Sequence, residues 1–260
     1  MTAHHSLALP NPYYASRVNK RSHAIARLPS IPKNGSPVPH LTSLYHFHDP
    51  GDYGDRSYPG NCGGNLIRDL LRYFQPHSVL DPMMGSGTCG DVCLELGIPC
   101  RSTDLKTGFD ACDADGYQLE QTFDFIWAHP PYWRMKLYSE SDRCLSRCRT
   151  LDEFNLRYAQ FIRNCAQALS PGGHLAILMG DYADRSCGQV PLVYHTKRLA
   201  FDAGLDQACT DIIRFSHGAT SSRKAYRSSF IPGLHDVCMI FKKAGSLSSG
   251  ERLVEPKVVD

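Results

Sequence analysis

Residues 78–104 constrain the fold more than any other stretch of this chain. Ser78 to Asp81 reads as a short strand, and it opens into DPMMGSGTCGDVCLELG. There Gly85 and Gly87 let the backbone turn tightly and bring its N–H groups close to a ligand. A helix starts at Thr88, carries Val92, Leu94 and Leu96, and stops at Gly97-Ile98-Pro99. The next strand-like run, Cys100 to Thr103, ends on Asp104, about twenty residues beyond the glycines, where an acid can hydrogen-bond a ribose diol. Alternating strands and helices predict a parallel α/β sheet with ligands bound beyond the carboxyl ends of its strands. No Gly-Lys-Ser/Thr follows the glycines, which excludes a P-loop, and the full GxGxxG of a dinucleotide site is missing too. What remains is the pattern of a nucleoside site.

A second strand, Phe123 to Ala128, runs into a rigid aromatic corner, His129-Pro130-Pro131-Tyr132-Trp133. The prolines fix φ at about −65° and donate no N–H, so the first proline carbonyl can accept from a group outside the backbone. Tyr132 offers a flat face beside it. Taken alone, the corner also fits a polyproline ligand or an ordinary turn. Arg134 to Arg149 follows, with Arg134, Lys136, Arg143, Arg147 and Arg149 set among Trp133 and Tyr138. Such a loop suits a nucleic-acid backbone and splayed bases; a solvated charged loop is the plainer alternative.

The rest of the chain supplies the frame. Residues 46–64 are crowded with Gly, Pro, Asp and Asn and predict a long loop, after which Leu66, Ile67, Leu70, Leu71 and Phe74 share one helix face that Pro76 ends. Thr150 and Glu153 form a capping box for a helix to Leu169, striped by Phe154, Tyr158, Phe161, Ile162 and Cys165. Pro171-Gly172-Gly173 stops it, and His174 to Met179 is an apolar strand. A helix from Pro191 to Ala203 and closing strands at Ile212–Phe215 and Val237–Phe241 complete the pattern.

The 260 residues suffice for one α/β domain, expected at 41–243 between a Pro-rich basic arm (1–40) and a polar tail (244–260). A net charge of +2 is too mild to signal nucleic-acid binding by itself, so any footprint must be local. There is no run of eighteen apolar residues and no signal-like amino terminus, so no membrane partner and a cytoplasmic location are expected. Eleven cysteines without a CxxC pair predict reduced, mostly buried thiols and no metal, although Cys144 and Cys148 lie four apart and His46 and His48 precede Cys62.

Jointly, YPGNCGGN, DPMMGSGT, HPPYW and the late SSRKAY segment resemble the motifs of the S-adenosylmethionine-dependent DNA amino-methyltransferases of the N4-cytosine/N6-adenine type, over roughly residues 45–243. The resemblance implies a Rossmann-like class I methyltransferase fold: a seven-stranded, mostly parallel sheet with helices on both faces and an antiparallel last strand. It implies S-adenosylmethionine as cofactor, held by Asp81, Pro82, Gly85, Gly87 and Thr88, with Asp104 on the ribose hydroxyls and Asp110 toward the adenine amine. His129, Pro130, Pro131 and Tyr132 become the catalytic corner, with Tyr132 stacking on a flipped base. Trp133, Arg134, Lys136, Arg223 and Lys224 become the nucleic-acid contacts. DNA is the implied partner; RNA on the same fold, and a catalytically silent binding module, are the alternatives. The family carries Asp, Asn or Ser where this chain has His129, whose neutral imidazole can still accept one hydrogen bond. The connections are too short for a sizeable recognition region. Base readout then falls to the basic loops, the arm or a partner protein, and predicts weak or very short site preference.

Overall fold

A computed structural model describes residues 35–46, 49, 51–215 and 233–245. Residues 1–34 of the expected arm, the far end of the expected tail, and Arg223 and Lys224 therefore lie outside the described residues, whereas the end of the expected arm is described and Val38 in it is buried. The chain builds β1 (Leu44–Tyr45), α1 (Asn65–Phe74), β2 (Val79–Asp81), α2 (Thr88–Leu96), β3 (Cys100–Ser102) and β4 (Phe123–Ala128). It continues through α3 (Leu151–Ala168), β5 (Leu169–Met179), β6 (Tyr182–Asp184), β7 (Gly188–Val190), α4 (Leu192–Asp202), β8 (Leu205–Gln207), β9 (Ile212–Arg214) and β10 (Asp236–Lys243).

The sheet order is β1-β9-β10-β5-β4-β2-β3, with β8 also on β10. Strands β3, β2, β4 and β5 are mutually parallel; β10 is antiparallel to β5, β8 and β9. This is the Rossmann-like α/β arrangement expected, with one refinement. The sheet holds eight strands, because one row beside β10 is broken in two: β8 covers Phe241–Lys243 and β9 covers Asp236–Cys238.

Helices cover both faces because strand side chains alternate between them. On β5 and β10, Leu175, Ile177, Met179, Val237, Met239 and Phe241 face the layer of α3 and α4, whereas Ala176, Leu178, Cys238 and Ile240 face α1 and α2. Phe123 and Phe125 should share a face by parity, yet they belong to opposite layers. A register shift between these two residues in the β4–β5 ladder rotates Phe123 away.

Two local expectations change. Thr150 caps α3 by accepting from the Glu153 N–H at 3.1 Å, but Glu153 returns to the Arg149 N–H at 2.7 Å, one residue before the cap, so the reciprocal arm of the box is displaced. Pro171–Gly173 does not separate helix from strand: β5 begins at Leu169 and carries this segment as an irregularity. Gly173 is needed there, since a Cβ would lie 2.9 Å from the Ser170 carbonyl and 3.1 Å from those of Phe123 and Asp124. The β6–β7 hairpin lies in a stretch that sequence reads as plain loop. No described helix is long and apolar enough to cross a membrane.

Candidate active site

The carboxyl ends of β2, β3 and β4 open into a solvent-open cleft of about 910 Å³. On one side lies the glycine loop. Gly85 N–H donates to Asp104 Oδ2 at 3.0 Å, Lys106 N–H to Asp104 Oδ1 at 2.9 Å, and Met84 N–H to the Thr103 carbonyl at 2.9 Å. The loop after β2 is thereby pinned to the acid after β3. Asp104 keeps unused lone pairs toward the cleft, since each carboxylate oxygen accepts two hydrogen bonds. Asp81 accepts from Met83 N–H at 3.2 Å and is buried. Burial pushes its carboxyl well above the usual carboxylate range; the Met83 N–H opposes this, and Cys100 and Asp104 add to it.

Loop 46–64 closes over this side. Asp55 N–H donates to the Ser86 carbonyl and Gly54 N–H to Asp91 Oδ2, both at 2.8 Å, while Asn61 Nδ2 ties the loop to itself through the Tyr53 and Asp55 carbonyls. These bonds carry Tyr58 to the mouth, where it stacks on Tyr138 with ring centroids 6.0 Å apart and lies under Lys106 Nζ at 4.4 Å. The tight fit of Tyr58 explains Gly85, where a Cβ would come within 3.0 Å of the Tyr58 ring.

On the other side stands the corner after β4. His129 Nε2 lies 3.2 Å from the Tyr132 hydroxyl. Tyr132 is only 8% exposed, wedged against Gly180, where a Cβ would meet the Tyr132 ring at 2.9 Å and Asp236 Oδ1 at 2.7 Å. Burial first, then Asp236, push its phenol well above its ordinary range. Asp236 in turn pairs with Arg214 at 2.7 Å, and Arg214 donates to the Cys62 carbonyl at 3.1 Å.

Of the residues expected at the site, Asp81, Pro82, Gly85, Thr88, Asp104, Asp110, His129 and Pro131 line the cleft. Gly87 instead caps α2 at φ +82°, and Pro130 is buried behind the lining. Asp110 accepts from Cys112 N–H at 2.9 Å and faces Arg157 at 3.4 Å, so part of its carboxylate is already engaged. Tyr132 does not present a face to the cleft; it supports His129 from behind. Trp133 is a core residue, 2% exposed, with its indole N–H on the Cys148 carbonyl at 2.8 Å, so it cannot reach a nucleic acid from this position. Arg134 is spent on a two-pronged pair with Asp184 at 2.9 and 2.7 Å and lies over the Trp133 ring. Lys136 is exposed. Sequence reasoning missed Tyr58 and Lys106 as lining residues and held Tyr138 and Arg143 only as members of a nucleic-acid loop. The signal for Tyr138 and Arg143 was their place in the basic aromatic loop.

No protein-family profile matches the chain, and no curated protein does. Among solved structures, a candidate DNA modification methylase of Thermus thermophilus, complexed with S-adenosyl-L-methionine, is similar at 20% identity over 55% of this chain and 56% of its own, with a TM-score of 0.38. TrmN from Thermus thermophilus is similar at 20% identity over 68% of this chain and 48% of its own, with a TM-score of 0.41. The N-methyltransferase NodS from Bradyrhizobium japonicum, in complex with S-adenosyl-L-homocysteine, gives 15% identity, 71% and 74% coverage and a TM-score of 0.37. The matched region spans about half the length of the first two proteins.

Proposed function

We propose that this protein is an S-adenosylmethionine-dependent methyltransferase acting on an exocyclic base amine of DNA, adenine N6 or cytosine N4. The observation that carries this reading is one cleft in which the glycine loop and Asp104 face His129 and Pro131 of the corner after β4. The residues fit the cofactor: Asp104 has acceptor capacity left for ribose hydroxyls, and Gly85, lacking a Cβ, lets the Tyr58 ring close directly on the glycine loop. When bound there, the cofactor supplies an electrophilic methyl group.

The protein's own task is to make a poor nucleophile competent. An exocyclic amine has its lone pair delocalised into the ring, so acceptors that pull on its N–H bonds free that pair. His129, neutral, is one such acceptor and the Pro130 carbonyl a second; His129 is also placed to take the departing proton. Tyr58 and Tyr138, rather than Tyr132, offer the stacking surface for an extruded base, and Lys106 and Arg143 suit its phosphates. Most of the gain is positioning of amine against methyl.

The test is transfer of labelled methyl from S-adenosylmethionine to unmethylated duplex DNA and, in parallel, to total RNA, followed by nucleoside digestion and mass spectrometry. Methyladenine or methylcytosine from DNA is the expected result and names the base. Label confined to RNA moves the substrate to RNA, and cofactor binding without transfer marks a catalytically silent module; either outcome overturns the proposal.

A further inference from the structure

We infer that Cys89, Cys93 and Cys100 form a thiolate site for one thiophilic d¹⁰ cation, of the Zn²⁺ or Cu⁺ kind, on the side of α2 that faces β3. Their Sγ atoms all lie within 4.8 Å of one another, and among the described residues no other group of His, Cys, Asp or Glu is so arranged. Among the described residues, neither Cys144 with Cys148 nor His46 with Cys62 belongs to such a group, and His48 lies outside the described residues.

The fold explains why these three meet. Cys89 and Cys93 are four apart on α2 and so share a face, and both are fully buried. The chain then turns at Gly97 and returns directly into β3, whose first residue, Cys100, is set against that face with its side chain half-buried. Thiolates around a cation with metal–sulfur bonds of about 2.3 Å stand roughly 3.8 Å apart in a tetrahedron, so small side-chain rotations close the observed triangle on an ion. A fourth corner is at hand: Ser102 Oγ lies 3.5 Å from Cys100 Sγ. Gly90 makes room for it, since a Cβ there would stand 3.2 Å from that hydroxyl.

Soft sulfur donors without imidazole or free carboxylate select thiophilic cations over Mg²⁺ or Ca²⁺. Binding as thiolates releases the S–H protons to solvent. The ion then ties α2, which begins at the glycine loop, to β3, which leads into Asp104.

The experiment uses the full chain, stripped with a chelator under reducing conditions and titrated with Co²⁺ as a spectroscopic probe, then with Zn²⁺. A parallel anaerobic arm uses Cu⁺ against a coloured chelator. One equivalent of Co²⁺ with thiolate charge-transfer absorption, displaced by Zn²⁺, supports the zinc kind, and one equivalent of Cu⁺ alone supports the copper kind. Cys100→Ser should weaken binding at least tenfold, whereas Cys187→Ser, an exposed residue outside the group, should leave it unchanged. If Cys100→Ser does not fold, the wild-type titrations decide. Absence of binding in both arms, or a disulfide joining two of the three in peptide maps of unreduced protein, overturns the inference.

Discussion

Asp236→Ala tests the support behind the corner. Arg214 is 8% exposed, and its guanidinium holds Asp236 at 2.7 Å and the Cys62 carbonyl at 3.1 Å, while its Nε has no partner among the described residues. Deleting the carboxylate strands a buried cation on one carbonyl, a change that costs about 3–5 kcal/mol. For a chain of this size each kcal/mol moves Tm by about 2–4 °C, so a drop of roughly 6–20 °C is expected. Removing both charges, Asp236→Ala with Arg214→Met, should recover much of that loss and give a coupling energy of at least about 2 kcal/mol. Urea unfolding at pH 7, followed by far-UV circular dichroism on the four proteins of the cycle, measures both. A single mutant within 1 kcal/mol of wild type, or strictly additive effects, would refute the claim that this pair is a buried strut.

Three further outcomes follow from the site. His129→Ala should lower turnover by about 10²-fold in labelled-methyl transfer with cofactor affinity unchanged, while His129→Asn, which keeps an acceptor, should retain far more. Gly54→Ala places a Cβ 2.6 Å from Thr88 Oγ1 and 2.8 Å from the Ser86 carbonyl at φ +68°, so loop 46–64 should detach and cofactor affinity, read by calorimetry, should drop tenfold or more. Arg134 first, against a smaller burial effect, and then Ser186 hold the Asp184 carboxyl below its ordinary range. A depressed folded value contributes stability that is complete above the unfolded pKa of about 3.9 and is lost as pH falls toward the folded value. Asp184→Asn should therefore destabilise at pH 7 and flatten the acid limb below about pH 4 in urea titrations.

Sequence disclosed what local chemistry determines. Gly85, Asp104 and His129 could be placed because a strand end, a positive-φ turn and an acid at fixed distance need no tertiary information. The roles of Tyr132 and Trp133 could not. An aromatic after two prolines fits a stacking surface or a wedge equally well, and only the packing of Gly180 and Asp236 against Tyr132, and of the Cys148 carbonyl against Trp133, decides for the wedge. Arg134 was similarly ambiguous, since its partner Asp184 lies fifty residues on, in a hairpin with too little periodicity to be read. Tyr58 escaped notice because a tyrosine inside a Gly-Pro-Asp loop acquires a direction only when that loop docks on Ser86 and Asp91.

The antiparallel strand turns these separate pieces into one device. In a wholly parallel sheet, the first residue of every strand lies at the end remote from ligand. Because β10 runs the other way, its first residue arrives where the neighbours finish: Asp236 pairs in register with Arg214 at the end of β9, and Val237 with Met179 at the end of β5. A carboxylate is thus delivered from the last strand to the underside of the corner after β4, and Arg214 carries the connection on to Cys62 in the loop that covers the glycine turn. Among its described residues, loop 46–64 is held on the cofactor side by Ser86, Asp91 and Glu95, the last through the Tyr53 hydroxyl, and on the catalytic side by Arg214. Any movement that opens it for ligand must strain one of these attachments. The Arg214 end is a single bond to a carbonyl, whereas the other end carries three bonds among the described residues, so opening should begin beside Cys62, next to the corner, with the Ser86, Asp91 and Glu95 attachments acting as the hinge.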